Sequence, residues 1–141
     1  MKRLWLFSLL LWTVLCVKAQ QNNEFTVLQW NIWQEGTQVK GGYDAIVDEI
    51  VRLKPDFVTL SEVRNYKNTR FCDRIVQSLK QRGETYYSFF SYDSGLLSRY
   101  PITDSLTVFP LKDDHGSIYK MVSSIRDHRI AVYTAHLDYL S

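Results

Sequence analysis

A change of hydrophobic period near Gly83 constrains this fold more than any other feature of the sequence. Before it, strand-like and helix-like segments alternate. Phe25–Asn31 is rich in β-branched and aromatic residues and predicts a strand. Ile32 to Gly42, with Gly36, Gly41 and Gly42, predicts a loop. Tyr43–Leu53 carries Ile46, Val47, Ile50, Val51 and Leu53 at helical spacing, with acidic Asp44, Asp48 and Glu49 toward its start. Pro55 stops that helix, and Phe57–Leu60 reads as a short buried strand. A second helix is expected from Arg70 to Arg82, with Phe71, Ile75 and Leu79 four apart and Gly83 at its C-terminal cap. After Gly83 the pattern is strand upon strand: Thr85–Ser91, Gly95–Arg99, Thr103–Phe109, Ser117–Ile125 and Arg129–Ala135. Arg126-Asp127-His128 between the last two reads as a hairpin turn. The order β-α-β-α followed by a run of β predicts an α/β layered fold. Its mixed sheet would pair the later strands antiparallel.

Charge invites a nucleic-acid reading until the charges are located. The 141 residues hold 17 Lys+Arg and 15 Asp+Glu, a formal net charge of +2. Three of the basic residues lie at the N-terminus. Met1-Lys2-Arg3 is a basic start, Leu4 to Val17 is almost wholly apolar, and Val17-Lys18-Ala19 offers a cleavage site before Gln20. This is the three-part pattern of a secretory signal peptide, so residues 1–19 are expected to be removed on export to the periplasm or outside. The apolar run is shorter than the roughly 20 residues of a bilayer-spanning helix. A lipoprotein would use Cys16, but Leu15 stands where a small residue is wanted. Cleavage takes Lys2, Arg3 and Lys18, so 17 basic residues become 14 against 15 acidic, a net charge of −1. Cys16 leaves with the segment and Cys72 remains alone, which excludes an intrachain disulfide in residues 20–141. Cys72 reads as a buried helix thiol, since nothing near it marks an activated nucleophile. A hydrophobic content of 45% excludes a disordered or fibrous chain.

Three polar residues stand directly after apolar strand-like runs: Asn31, Glu62 and His136. In an open α/β sheet, ligands bind at strand ends. Glu supplies an anionic oxygen for a hard cation, Asn an amide for a phosphoryl oxygen or a water, and His a donor where negative charge accumulates. Each has a plainer reading taken singly: a turn residue, the start of a loop, a core histidine. Their matched positions favour one site.

At these positions the sequence resembles the endonuclease/exonuclease/phosphatase superfamily of DNase I-like phosphoesterases. Val27-Leu28-Gln29-Trp30-Asn31-Ile32, followed by Gly36, is similar to its opening motif. Pro55-Asp56-Phe57-Val58-Thr59-Leu60-Ser61-Glu62-Val63 resembles its second, which ends in a metal-binding Glu. Ser94-Gly95-Leu96-Leu97-Ser98-Arg99-Tyr100-Pro101-Ile102 resembles its central strand. Ala131-Val132-Tyr133-Thr134-Ala135-His136-Leu137-Asp138 resembles its TxHL strand. The resemblance implies a four-layer α/β/β/α sandwich, with residues 20–141 as about the first half of that domain. It implies hydrolysis of a phosphodiester or phosphomonoester with Mg²⁺ or Mn²⁺. Glu62 would bind the metal. Asn31 would assist at the metal and place the phosphate or the attacking water. His136 would contact the scissile phosphate. Asp93 would orient His136, or else be a solvated turn residue. Arg99 would contact phosphate, or else supply strand-end polarity.

The family pattern continues with GDxN and SDH motifs that this sequence lacks. His115, in the polar loop Lys112 to Gly116, and His128, in the hairpin turn, read as solvated and do not replace them. The expectation is therefore a truncated chain with little or no hydrolase activity alone. The alternatives are a non-catalytic remnant or binding module with half of a metal and phosphate site, and a fold completed by a separate chain. No stable protein partner is evident. The substrate class stays open between nucleic acid, phospholipid and a small phosphoester. Lys67, Arg70 and Arg74 form a modest basic cluster. The aromatics Trp33, Tyr66, Tyr86, Tyr87, Phe89, Phe90 and Tyr92 suit either core packing or a lipid surface.

Overall fold

A computed structural model describes residues 24–110 and 116–137. The expected export segment 1–19 and the loop carrying His115 lie outside the described residues. The first part alternates as its periodicity predicts: β1 (Val27–Asn31), α1 (Gly42–Leu53), β2 (Phe57–Val63) and α2 (Phe71–Gln81). β3 (Tyr87–Ser88), β4 (Asp93–Ser98), β5 (Ile102–Phe109), β6 (Gly116–Ile125) and β7 (His128–Leu137) follow. No helix among the described residues is long and apolar enough to cross a membrane.

Two sheets form where the residue pattern alone suggested one. The first is mixed, in the order β1-β2-β4-β3, with β1 parallel and β4 antiparallel to β2. The second is an antiparallel meander, β5-β6-β7. The chain changes sheets at Arg99–Pro101, where Pro101 offers no backbone donor to continue the first ladder. The strand expected over Thr85–Ser91 shrinks to two paired residues. Side chains hold that segment instead. The buried Tyr86 hydroxyl donates to the Pro55 carbonyl at 2.6 Å, and Glu84 pairs with Lys54 and Arg99. The last turn is shorter than expected, because His128 already pairs with Ile125 and only Arg126 and Asp127 form it.

Alternation along β2 builds two cores. Val58, Leu60 and Val63 face the helices and meet Ile46, Val47 and Ile50 of α1 and Phe71, Ile75 and Leu79 of α2. Phe57 faces the other way, toward Leu96, Tyr119, Met121 and Ile125 between the sheets. Burial on both faces explains why β2 reads as a continuous apolar run. Two serine pairs also bridge the sheets, Ser94 with Ser117 at 2.6 Å and Ser98 with Ser123 at 3.1 Å. Small side chains there let the sheets approach while satisfying each hydroxyl. The described residues thus stack helix, sheet and sheet. Leu106, Phe109 and Tyr133 are exposed on the outer side of the second sheet.

Cys72 sits in the helix-side core with its sulfur above Gly95, where an added Cβ would lie 2.7 Å from it. Burial pushes its thiol up to about 12. A thiol with so little thiolate at pH 8 is inert. We expect no alkylation of Cys72 by iodoacetamide at pH 8 in the native chain and full alkylation in denaturant. Peptide mass spectrometry reads this out, and rapid native labelling would contradict the buried placement.

Candidate active site

Parallel pairing of β1 and β2 sets Asn31 opposite Ser61, next to Glu62. The two side chains meet, with Asn31 Nδ2 donating to Glu62 Oε1 at 2.8 Å. Trp33 N–H closes back on Asn31 Oδ1 at 2.9 Å, and Gln34 N–H donates to Glu62 Oε2 at 2.9 Å. Glu62 was expected just past its strand. It lies inside β2 at an irregularity, where the pairing with β4 skips between Ser61 and Val63 and its own φ is 68°. A bulge of this kind re-aims one side chain out of the alternation. Here it turns the carboxylate toward the strand end and Asn31.

The second pair stands one register position away. Asp93 opens β4 opposite Val63 and is 1% exposed. Its carboxylate takes His136 Nδ1 at 2.9 Å, Arg64 Nη1 at 2.6 Å and the Ser117 hydroxyl at 2.9 Å. The solvated-turn reading of Asp93 therefore gives way to a buried, triply held carboxylate. Ser117 and His136 are register partners across β6 and β7, so the second sheet brings both to Asp93 together. A carboxylate at Nδ1 selects the tautomer protonated there, leaving Nε2 as the acceptor nitrogen. His136 is 30% exposed by side chain, open enough to meet a ligand.

Glu35 ties the two loops behind these pairs. Its side chain is 2% exposed. It accepts the backbone N–H groups of Arg64 and Asn65 and pairs with Arg74 at 2.8 Å. Trp33, Gln34, Glu35 and Gly36 are consecutive left-handed residues, with φ of 42°, 53°, 61° and 73°. That conformation costs non-glycine residues roughly 1–2 kcal/mol each. It persists because Glu35 and the Gln34–Glu62 bond hold both sides of the turn. Gly36 and Gly42 cross so closely that a Cβ on Gly42 would lie 2.1 Å from the Gly36 carbonyl oxygen.

Four of the five sequence-derived candidates, Asn31, Glu62, Asp93 and His136, lie at one end of the sandwich as two bonded pairs. Arg99 does not. It follows Ser98, which pairs with Phe57 at the opposite end of β2, and its guanidinium is bound to Glu84. It stands at the far end of the strand from the other four candidates. Two of the three residues of the basic cluster are paired with acids, while Lys67 and Arg70 stay exposed. Arg70 pairs with Asp73 and Arg74 with Glu35, which leaves no continuous basic face from these residues. Glu35, Arg64 and Ser117 escaped the sequence reading. Arg64, directly after Glu62-Val63, was the one with a strand-end signal.

The donor set suits a hard cation. The Glu62 oxygens each carry one hydrogen bond and keep a lone pair, and the Asn31 amide adjoins them with its nitrogen toward Glu62 and its oxygen toward Trp33 N–H. Mg²⁺ commonly takes one or two carboxylates and fills its remaining positions with water and phosphate oxygens. Among the described residues no cluster of three or more His, Cys, Asp and Glu side chains surrounds a common point.

The model for the Endonuclease/Exonuclease/phosphatase family matches residues 28–131, about three quarters of the sequence. The chain belongs to the Endonuclease/Exonuclease/phosphatase family. A solved endonuclease/exonuclease/phosphatase from Beutenbergia cavernae DSM 12333 has the same fold, with a TM-score of 0.59 and 18% identity. The match covers 80% of this chain and 38% of that one. The chain thus spans well under half of that family member's length. No curated protein matches the sequence significantly. Family membership accounts for the two facing sheets.

Proposed function

We propose that this family member is part of an exported, metal-dependent phosphoesterase. The observation that carries the proposal is the placement of two hydrogen-bonded pairs, Asn31–Glu62 and Asp93–His136, at the same end of the sandwich. Glu62 would hold Mg²⁺ or Mn²⁺, with Asn31 assisting. When bound, that cation supplies Lewis-acid stabilisation to the phosphoryl oxygens. The Asn31 amide, restrained at both ends, orients a phosphoryl oxygen or a water. His136, fixed through Nδ1 by Asp93, presents Nε2 to the scissile phosphate. In its protonated form the imidazole donates where charge builds in the transition state. Residues 1–19 direct export.

The described residues supply about half of a catalytic set. One free carboxylate can hold the cation, but a second group is needed to align and deprotonate the water. The chain alone is therefore expected to bind phosphate without turning substrate over. Inorganic phosphate should bind only with Mg²⁺, and Glu62→Gln should abolish that binding. Phosphate binding indifferent to both would contradict the site. A parallel panel of DNA, sphingomyelin and simple phosphomonoesters should show little or no Mg²⁺-dependent hydrolysis. Turnover lost in Glu62→Gln would show the chain to be catalytically sufficient and would overturn the half-set account.

A further inference from the structure

Beside Asn31 lies a cavity of about 270 Å³, lined chiefly by Trp30, Trp33, Val39, Ala45 and Ile46. Trp33 and Val39 stay 59% and 56% exposed at its rim. Three features fix the local chain beside it. The turn Trp33–Gly36 keeps four left-handed residues in a row, three of them not glycine. A buried carboxylate, Glu35, clamps that turn. Gly36 and Gly42 cross at a distance no side chain would permit, which sets the loop against the start of α1. Backbone strain held this firmly points to function at the residues it presents.

We propose that this slot is the subsite for a hydrocarbon group of the phosphoester, an alkyl chain or an unsubstituted aromatic ring next to the phosphate. The inference rests on the phosphoesterase reading of the adjacent pairs and narrows its substrate. Chemistry of the lining favours a hydrocarbon over a nucleobase or sugar as the occupant. Its polar side-chain groups are few: the Asn31 amide, which already carries one hydrogen bond at each end, and the indole N–H groups of Trp30 and Trp33. A base edge or ribose has more donors and acceptors than these groups can meet, and leaving the rest unpaired is costly. A hydrocarbon gains by burial. The volume is below the ~300–1,000 Å³ of pockets for drug-sized ligands. It suits one ring or a short length of chain, not a whole lipid.

The test compares Mg²⁺-dependent binding of methyl, n-butyl and phenyl phosphate and adenosine monophosphate to the full chain by titration calorimetry. Butyl or phenyl phosphate should bind about tenfold tighter than methyl phosphate, as burial of about two methylenes would give. The order of butyl and phenyl distinguishes a chain from a ring. Adenosine monophosphate should gain no such advantage. Trp33→Ala opens the slot and should shrink the preference. Ala45→Phe fills it from the helix side and should bring butyl phosphate to the affinity of methyl phosphate. Equal affinities with Mg²⁺-dependent binding would overturn the subsite and leave the phosphate site standing, as would a preference surviving both variants. A preference for the nucleotide would also overturn it. Failure of every ester to bind would remove the phosphate site, and the subsite with it.

Discussion

Asp93→Ala is expected to cost about 3 kcal/mol of folding stability, among the largest effects of any polar substitution in the chain. Asp93 is buried and receives three donors from three segments: Arg64 beyond β2, Ser117 of β6 and His136 of β7. Removing it leaves a guanidinium, a hydroxyl and an imidazole without their acceptor. Arg64 and His136 are 26% and 30% exposed, so water offsets part of the loss, which sets the value at the low end for a broken buried pair. Asp93→Asn should lose nearly as much, since its amide group directs a donor at other donors. Urea unfolding measures the stability. The exchange rate of the His136 Nδ1 proton measures the orientation. A loss below about 1 kcal/mol, with His136 undisturbed, would mean that the network neither stabilises nor positions.

Glu35→Ala is the second large effect, again about 3 kcal/mol. Its carboxylate takes two backbone N–H groups and Arg74, and it clamps a turn that disfavours its own conformation. Truncation would free the turn to relax. The Gln34 N–H would then leave Glu62, and Arg64 would lose the backbone anchor that carries it to Asp93. Glu35→Gln, with one acceptor kept, should fall between. Hydrogen exchange at the Gln34 amide should accelerate in proportion to the stability lost. An unchanged Gln34 amide would show that the turn holds without Glu35.

These two residues mark where sequence reading succeeds and stops. Asn31, Glu62 and His136 were legible because each ends an apolar run, and strand ends are where α/β folds gather chemistry. The helices were legible from spacing alone. Glu35 was not, because an acid between Gln34 and Gly36 looks like any solvated turn residue. Its burial depends on Arg74, 39 positions away, and on the loop after β2. Ser117 was invisible for the same reason. A serine in a strand acquires its role only when the second sheet stacks on Asp93. Strand identity also ran ahead of pairing. Aromatics from Thr85 to Ser91 resemble a strand, yet two residues pair because Tyr86 and Glu84 anchor the segment by their side chains. The two readings of Arg99, phosphate contact or strand-end polarity, could not be separated using its motif neighbours. Direction along the antiparallel β4, which carries it away from Glu62, cannot be read from a one-dimensional pattern.

The most direct test of one shared metal and phosphate site is side-chain NMR of the chain titrated with Mg²⁺ and then with inorganic phosphate. Mg²⁺ should shift the Glu62 carboxyl carbon and the Asn31 side-chain amide, and leave the Asp93 carboxyl nearly still. Phosphate added afterwards should move the His136 ring nitrogens, and should fail to do so in Glu62→Gln. Shifts at Glu62 and Asn31 with no response at His136 to phosphate, or Mg²⁺ binding that bypasses Glu62, would contradict a single site built from the two pairs.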